Sequence, residues 1–319
     1  MTEKKLHIEY VQRRQIDAAK WDACVSRASN RLIYAYSFYL DAMAENWDAL
    51  ILNDYEAVMP LPWRRKYSIR YLYQPPYTAQ LGVFTTMNRW DEQNAFIQPV
   101  LIKTFLDELA RHFRFAEIFL NYANPCDYCE PYNNYILRLD RSYEELVAGY
   151  KKSYQKYLFK TGQSGKALSF SYQATNHLEE LLDLNKRLYL RKMSEVQSHD
   201  YDHFKQLCLF FQQNDQLILR TLYGPGNALL ATLLLPKDDD RLYLLQSCVT
   251  AEGRKAEANH FLMDCFLKEF SGQNITLDFE GSEHPGIAHF YRNFGACNQP
   301  RFFFRHNKLP WPLHLLKQK

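Results

Sequence analysis

Three carboxylates, Asp278, Glu280 and Glu283, follow a short apolar run at residues 275–279. A carboxylate at the end of a strand in a splayed sheet can take a proton from an attacking amine. Strand alternation places Asp278 and Glu280 on one face, opposite Leu277 and Phe279. The same groups could equally cap the next helix or pair with an arginine. Upstream, residues 250–259 join an apolar strand to a helix. Such a junction offers backbone amides and a helix dipole to a phosphate-bearing ligand. Lys151, Lys152, Lys156 and Lys160 line one face of a further helix. Together with Arg64, Arg65 and Lys66 they suit either solvent or a phosphate-bearing substrate. Cys126 and Cys129 form a single CxxC with no second pair and no nearby histidine, so no metal is expected there. His199 and His203 have helical i, i+4 spacing but lack the glutamate of a zinc hydrolase, and read as an exposed helix start.

Elements that would position these groups follow from periodicity. Residues 241–249 (RLYLLQSCV) have the length and composition of a buried strand. Residues 255–270 carry a helical apolar stripe at Ala258, Phe261, Leu262, Cys265, Phe266 and Phe270, stopped by Gly272. Residues 275–279 form a second strand, and 284–294 a helix with Pro285 near its first turn. Earlier in the chain, strands are expected at 6–11, 49–52, 57–61, 69–73, 116–121 and 135–139, with 49–52 and 57–61 a hairpin across the turn pair Asn53-Asp54. Helices are expected at 16–28, at 37–46 with Ser37 at the cap position, and at 96–109, starting or kinking at Pro99. The proline-rich stretch 74–80 reads as a cleft-lining loop, so Tyr73 and Gln74 are candidates for substrate contact. A capping box at Ser142 and Glu145 opens a bridging helix through about residue 160. The order of strands and helices then repeats: strand 168–172, helices 177–191 and 201–213, strands 217–222 and 228–235, the stretch above, and a closing strand at 301–305. Repetition divides the chain into residues 1–141, a bridge at 142–166, and 167–319.

Two segments resemble the GNAT acyltransferase superfamily. Val249 to Leu262 (VTAEGRKAEANHFL) lies where that superfamily has its strand–loop–helix diphosphate cradle, and His289 to Ala296 (HFYRNFGA) is similar to its late FYxxxGF helix end. Leu277-Asp278-Phe279-Glu280-Gly281 looks like a turn of the FemAB-like branch. The resemblance implies a mixed α/β fold of two tandem GNAT-like domains, with the donor site in the C-terminal one. It also implies that Ser247, Cys248, Val249, Arg254, Lys255, Ala256, Ala258 and Asn259 contact acetyl-CoA or another acyl-CoA, and that Tyr291 protonates the leaving thiolate. Gln246, Lys152 and Lys156 join Tyr73 and Gln74 as expected substrate contacts, and Glu280 or Asp278 serves as base. Of the cradle's three signature positions only Arg254 matches. Glu257 stands where a glycine is expected and sets a carboxylate against a diphosphate.

Composition narrows the function classes. A chain of 319 residues with 47% hydrophobic and 15% aromatic content supports two cores. A net charge of +3 is too small to argue for duplex nucleic acid. No run reaches the ~18 apolar residues of a membrane span. The polar N-terminus and seven cysteines lead to the expectation of a bacterial cytoplasmic protein with every thiol reduced. The reading is therefore an N-acyltransferase using acyl-CoA and a small-molecule or peptide-like amine by direct attack. A FemAB-like aminoacyl transferase acting on a peptidoglycan precursor, or a non-catalytic binding protein on the same fold, are the alternatives.

Overall fold

The computed structural model describes residues 7–66, 68–86, 90–91, 96–163, 169–189, 196–281 and 283–313. In its first part the chain forms β1 (Ile8–Gln12), α1 (Ala18–Arg27), α2 (Ser37–Met43), β2 (Trp47–Leu52), β3 (Ala57–Lys66), β4 (Ile69–Leu72), β5 (Phe84–Thr85), β6 (Trp90–Asp91), β7 (Phe96–Ile97), α3 (Pro99–His112), β8 (Phe115–Leu120) and β9 (Glu130–Tyr132). Next come β10 (Tyr135–Arg138), α4 (Tyr143–Ala148), α5 (Lys152–Gln163), β11 (Ser171–Ala174), α6 (Leu178–Tyr189), α7 (Ser198–Gln213), β12 (Leu217–Tyr223) and β13 (Leu229–Pro236). The chain ends through β14 (Arg241–Tyr243), β15 (Gln246–Val249), α8 (Ala251–Lys255), α9 (Ala258–Phe270), β16 (Thr276–Asp278), α10 (Pro285–Asn293), β17 (Cys297–Asn298) and β18 (Arg301–Asn307).

These elements gather into two compact units, Met1–Tyr132 with Pro300–Lys319, and Asn133–Gln299. Neither border falls at the expected 141/142 division, because one strand from each half joins the other half's unit. Strand β10 pairs antiparallel with β16 and β17 of the second unit. The closing strand β18 lies antiparallel to β8 and β9 of the first. Repeated element order shows that a strand exists, but its partner depends on contacts distant in sequence.

In the first unit the sheet order is β1-β2-β3-β4-β8-β18-β9, with β5 against β3. Asp17 caps α1 by accepting from the amides of Ala19 and Lys20. Ser37, expected as a cap, is instead the first residue of α2, and both its amide and its hydroxyl bond Asp22. Leu101, Ile102, Phe105, Leu106 and Leu109 form the buried stripe of α3 and pack with Leu50, Met59, Leu61, Ile118 and Phe304. Strands β4 and β8 run parallel but meet only at Leu72 and Ala116. Residues 74–83 fill the space beyond. The Phe119 amide donates to Gln74 Oε1 (3.0 Å), the Leu81 amide to the Phe119 carbonyl (2.7 Å) and the Asn121 amide to the Leu81 carbonyl (2.8 Å).

The second unit has two four-stranded sheets, β11-β12-β13-β15 and β14-β16-β10-β17. Helix α9 lays Phe261, Leu262, Phe266, Leu267 and Phe270 against Leu222, Leu233, Leu242, Leu277 and Phe279 in one core. The bridge expected as one helix is two, α4 and α5, interrupted at Gly149-Tyr150-Lys151. Tyr150 and Tyr154 face the core at that break, and Tyr150 and Tyr143 both donate to Asp264 of α9.

Candidate functional site

The run 241–249 is not one strand. β14 pairs in parallel with β16, aligning Arg241 with Thr276 and Tyr243 with Asp278. At Leu244 the amide still reaches the Asp278 carbonyl (2.8 Å), while the Leu245 amide turns back to the Tyr243 carbonyl (2.9 Å). After that turn the chain leaves β16, and β15 pairs antiparallel with β13. The two ladders therefore diverge past Leu244. Among the described residues β15 has no ladder on its other edge. An opening at the carboxyl ends of parallel neighbours is where open α/β sheets collect ligands.

Tyr291, in the last turn of α10, stacks on Phe279 just beyond β16 (ring centroids 4.5 Å apart, 29° between planes) and tilts against Tyr135 (6.1 Å). Burial, then the charges of Glu280 and Asp278, push its hydroxyl well above the ordinary value of 10.0. It is thus a hydrogen-bond donor at neutral pH.

The two expected bases have different fates. Asp278 is fully buried. One of its carboxylate oxygens accepts from Arg241 Nη1 (2.6 Å), and the other from Asn134 Nδ2 (3.1 Å) and the Glu280 amide (3.0 Å). Three donors on a buried, ion-paired carboxylate describe the arginine-pairing alternative, not a proton acceptor for substrate. Glu280 does not continue the strand alternation, because β16 ends at Asp278 and Glu280 has φ 66°. Its backbone is left-handed, and its charge acts on Tyr291. Glu283 is exposed and accepts from the amide and side chain of Asn133 (2.6 and 3.1 Å).

The expected cradle is largely helical. Thr250 caps α8, its hydroxyl accepting from the Gly253 amide (3.0 Å). Amides of Arg254, Ala256 and Glu257 donate to the carbonyls of Thr250, Glu252 and Arg254, and the His260 amide to Glu257. The Arg254 guanidinium folds back onto the Val249 carbonyl (2.8 Å). Gly253 packs so closely on β13 that an added Cβ would lie 2.2 Å from the Leu230 carbonyl oxygen, so the small residue serves protein packing. Glu257, left-handed at φ 56°, stands at the cap of α9. The first-turn amides of Ala251 and Glu252 in α8 and of Ala258 and Asn259 in α9 stay outside the helix ladders.

The other expected contacts are scattered. Ser247 Oγ meets Asn259 Oδ1 (3.3 Å). Cys248 is buried on the opposite face and meets Asn185 of α6 and Thr232; burial pushes its thiol up, which makes it unreactive. Val249 and Ala258 are buried in the core, Ala256 packs at its margin, and Lys255, Lys152 and Lys156 are exposed. Gln246 is buried at the first position past the divergence. In the first unit, Gln74 is internally bonded, its Nε2 donating to the Thr78 carbonyl (2.6 Å) and its Oε1 accepting from Phe119. The Tyr73 hydroxyl accepts from the Glu45 amide, and the Arg64 guanidinium lies over the Tyr73 ring (4.2 Å). The loop 74–80 is therefore tied to its own unit by hydrogen bonds through Gln74.

Cys126 and Cys129 are joined by a disulfide, correcting the expectation of seven reduced thiols. Their turn is closed by the Cys129 amide on the Cys126 carbonyl (3.1 Å). Among the described residues no helix is long and apolar enough to cross a membrane, and no cluster of three His, Cys, Asp or Glu could hold a metal. Residues that sequence reasoning passed over include Arg241, Asn134 and Asn185. An arginine opening an apolar strand was the available signal, since a buried charge requires a partner.

No family model and no curated protein matches the sequence. Solved structures do match its fold. FemX is 13% identical over 98% of this chain and 100% of its own, with a TM-score of 0.59. A conserved protein of unknown function from Bacteroides thetaiotaomicron VPI-5482 is 11% identical over 94% and 99%, at 0.55. The C-terminal domain of a putative lysylphosphatidylglycerol synthetase from Agrobacterium fabrum is 10% identical over 94% of each chain, at 0.51. The chain shares the mixed α/β fold of FemX.

Proposed function

We propose that this protein is an acyltransferase that moves an acyl group from an activated ester to an amine, with the reacting carbonyl in the opening between β15 and β16. The divergence of the ladders at Leu244–Leu245 carries this reading. It leaves one edge of β15 without a strand partner, and backbone N–H groups on such an edge can hold the oxyanion that forms when the amine attacks. The amine nitrogen bonds the carbonyl carbon, the bond from that carbon to the leaving oxygen breaks, the Tyr291 hydroxyl gives its proton to the leaving oxygen, and the proton lost by the amine nitrogen restores the Tyr291 hydroxyl. No Ser or Cys nucleophile is required.

One observation favours an oxygen ester, such as an aminoacyl ester, over an acyl-CoA thioester: within residues 250–259 the amides of Gly253, Arg254, Ala256 and Glu257 are already bonded inside the chain. The acceptor is a small-molecule or peptide-like amine. Isothermal titration with acetyl-CoA, free CoA and 3′-alanylamino-3′-deoxyadenosine tests the reading. Binding of the alanyl compound alone is expected. Binding and turnover of acetyl-CoA would replace the ester donor by the thioester, and silence from all three would leave a non-catalytic binding protein.

A further inference from the structure

The face of β15 turned away from α9 carries polar groups that the described residues leave unsatisfied. Alternation puts Gln246 and Cys248 on this face, with Thr232 opposite Cys248 and Leu234 opposite Gln246 on β13. Ser247, between them, faces Asn259 of α9. Helix α6 covers the Gln246–Cys248 face, because Asn185 donates through Nδ2 to Cys248 Sγ (3.3 Å). Asn185 is 4% exposed and Gln246 5%. Among the described residues, Asn185 Oδ1 and Gln246 Nε2 are buried without a hydrogen-bond partner, so neither satisfies the other. Buried carboxamide atoms in folded proteins nearly always have partners. The unpaired acceptor belongs to α6 and the unpaired donor to the first residue of β15, beside the divergence from β16.

We propose that Asn185 and Gln246 are specificity-determining residues that together read an N–H donor next to a carbonyl acceptor on the ligand held in this opening. The proposal rests on the acyl-transfer reading above and adds a requirement to it. A purely hydrocarbon group placed here would cover both atoms and pair neither, whereas an α-amino carbonyl or a peptide amide pairs both: its N–H donates to Asn185 Oδ1 and its C=O accepts from Gln246 Nε2. A site with polar groups built for such a ligand discriminates strongly against the analogue lacking them. The required chemistry can come from the donor's acyl group or from a peptide-like acceptor.

Matched probes on the intact protein separate these sources. For the donor, the alanyl and propionyl amides of 3′-amino-3′-deoxyadenosine differ only in the α-amino group, and the corresponding alanyl and propionyl thioesters of CoA repeat the comparison on a second carrier. For the acceptor, Nα-acetyl-lysine amide is compared with cadaverine. In one arm the polar member is expected to bind, or to lower KM, by at least about 10-fold, as for one buried hydrogen bond lost. Asn185→Leu and Gln246→Leu should each erase that preference; Asn185→Leu also gives up the bond to Cys248 Sγ, so the melting temperature of each variant is measured beside its binding. Equal binding of the two members in both arms, as with sites that hold only water, overturns the proposal and leaves the acyl-transfer reading standing. A preference that survives both substitutions also overturns it. No binding by any probe overturns both. The comparison on the unsubstituted protein decides even if a variant fails to fold.

Discussion

Replacing Asp278 with alanine separates a structural carboxylate from a catalytic base. Asp278 is wholly buried and the Arg241 side chain is 10% exposed. Truncation takes the Asp278 charge away from that guanidinium and its hydrogen bonds away from Asn134 Nδ2 and the Glu280 amide. Breaking a buried pair from one side costs about 3–5 kcal/mol, which for a unit of this size lowers Tm by about 6–20 °C. Asp278→Asn keeps an oxygen for Asn134 and Glu280 but loses the charge facing Arg241, and should cost about 1.5–3 kcal/mol. Replacing both partners, Asp278→Leu with Arg241→Met, should recover most of the loss, because it leaves no orphaned charge. The assay is urea unfolding followed by circular dichroism. All five tryptophans lie outside residues 133–299, so their fluorescence does not report on the second unit. If Asp278→Ala unfolds within about 0.5 kcal/mol of the parent yet loses ~10²–10⁴-fold in turnover, the structural account fails and Asp278 is the base after all.

Tyr291→Phe keeps the stack on Phe279 and removes the hydroxyl; turnover should fall ~10²–10⁴-fold with donor affinity nearly unchanged, and full activity would eliminate the proton-donor role. Tyr143, Tyr150, Tyr172 and Tyr291 are all held above the ordinary 10.0, by burial first and then chiefly by Asp264, Glu269 and Glu280. Their folded values exceed the unfolded ones, so this contribution to stability is intact below about pH 10 and falls as pH rises further; tyrosinate absorbance for this group should appear together with unfolding, and its appearance in the folded protein near pH 10 would contradict the burial argument. Denatured without reductant, the protein should show five reactive thiols, and all seven only after reduction; seven at the outset would remove the Cys126–Cys129 bond.

Much of the fold was legible because local rules specify it. The β2–β3 hairpin around Asn53-Asp54, the start of α3 at Pro99, the Ser142 capping box and the apolar stripe of α9 all follow from periodicity and end signals within a few residues. The helix α10 directly after β16 was legible for the same reason, from its apolar spacing and Pro285 near its first turn. Pairings between distant segments were not. An apolar run such as 241–249 reads as one strand, since nothing local says that its first half pairs with β16 and its second with β13. The exchange of β10 and β18 between units is equally invisible, because a strand's hydrogen bonds run to residues far away in the chain. Asp278 shows the limit at a single residue. Its type and place permit a base or a buried ion pair, and the choice depends on Arg241, 37 positions earlier, and Asn134, 144 earlier. Sequence determined which groups stand at the strand ends; tertiary contacts decided which of them are already bonded, because desolvation and partner geometry exist only in the folded chain.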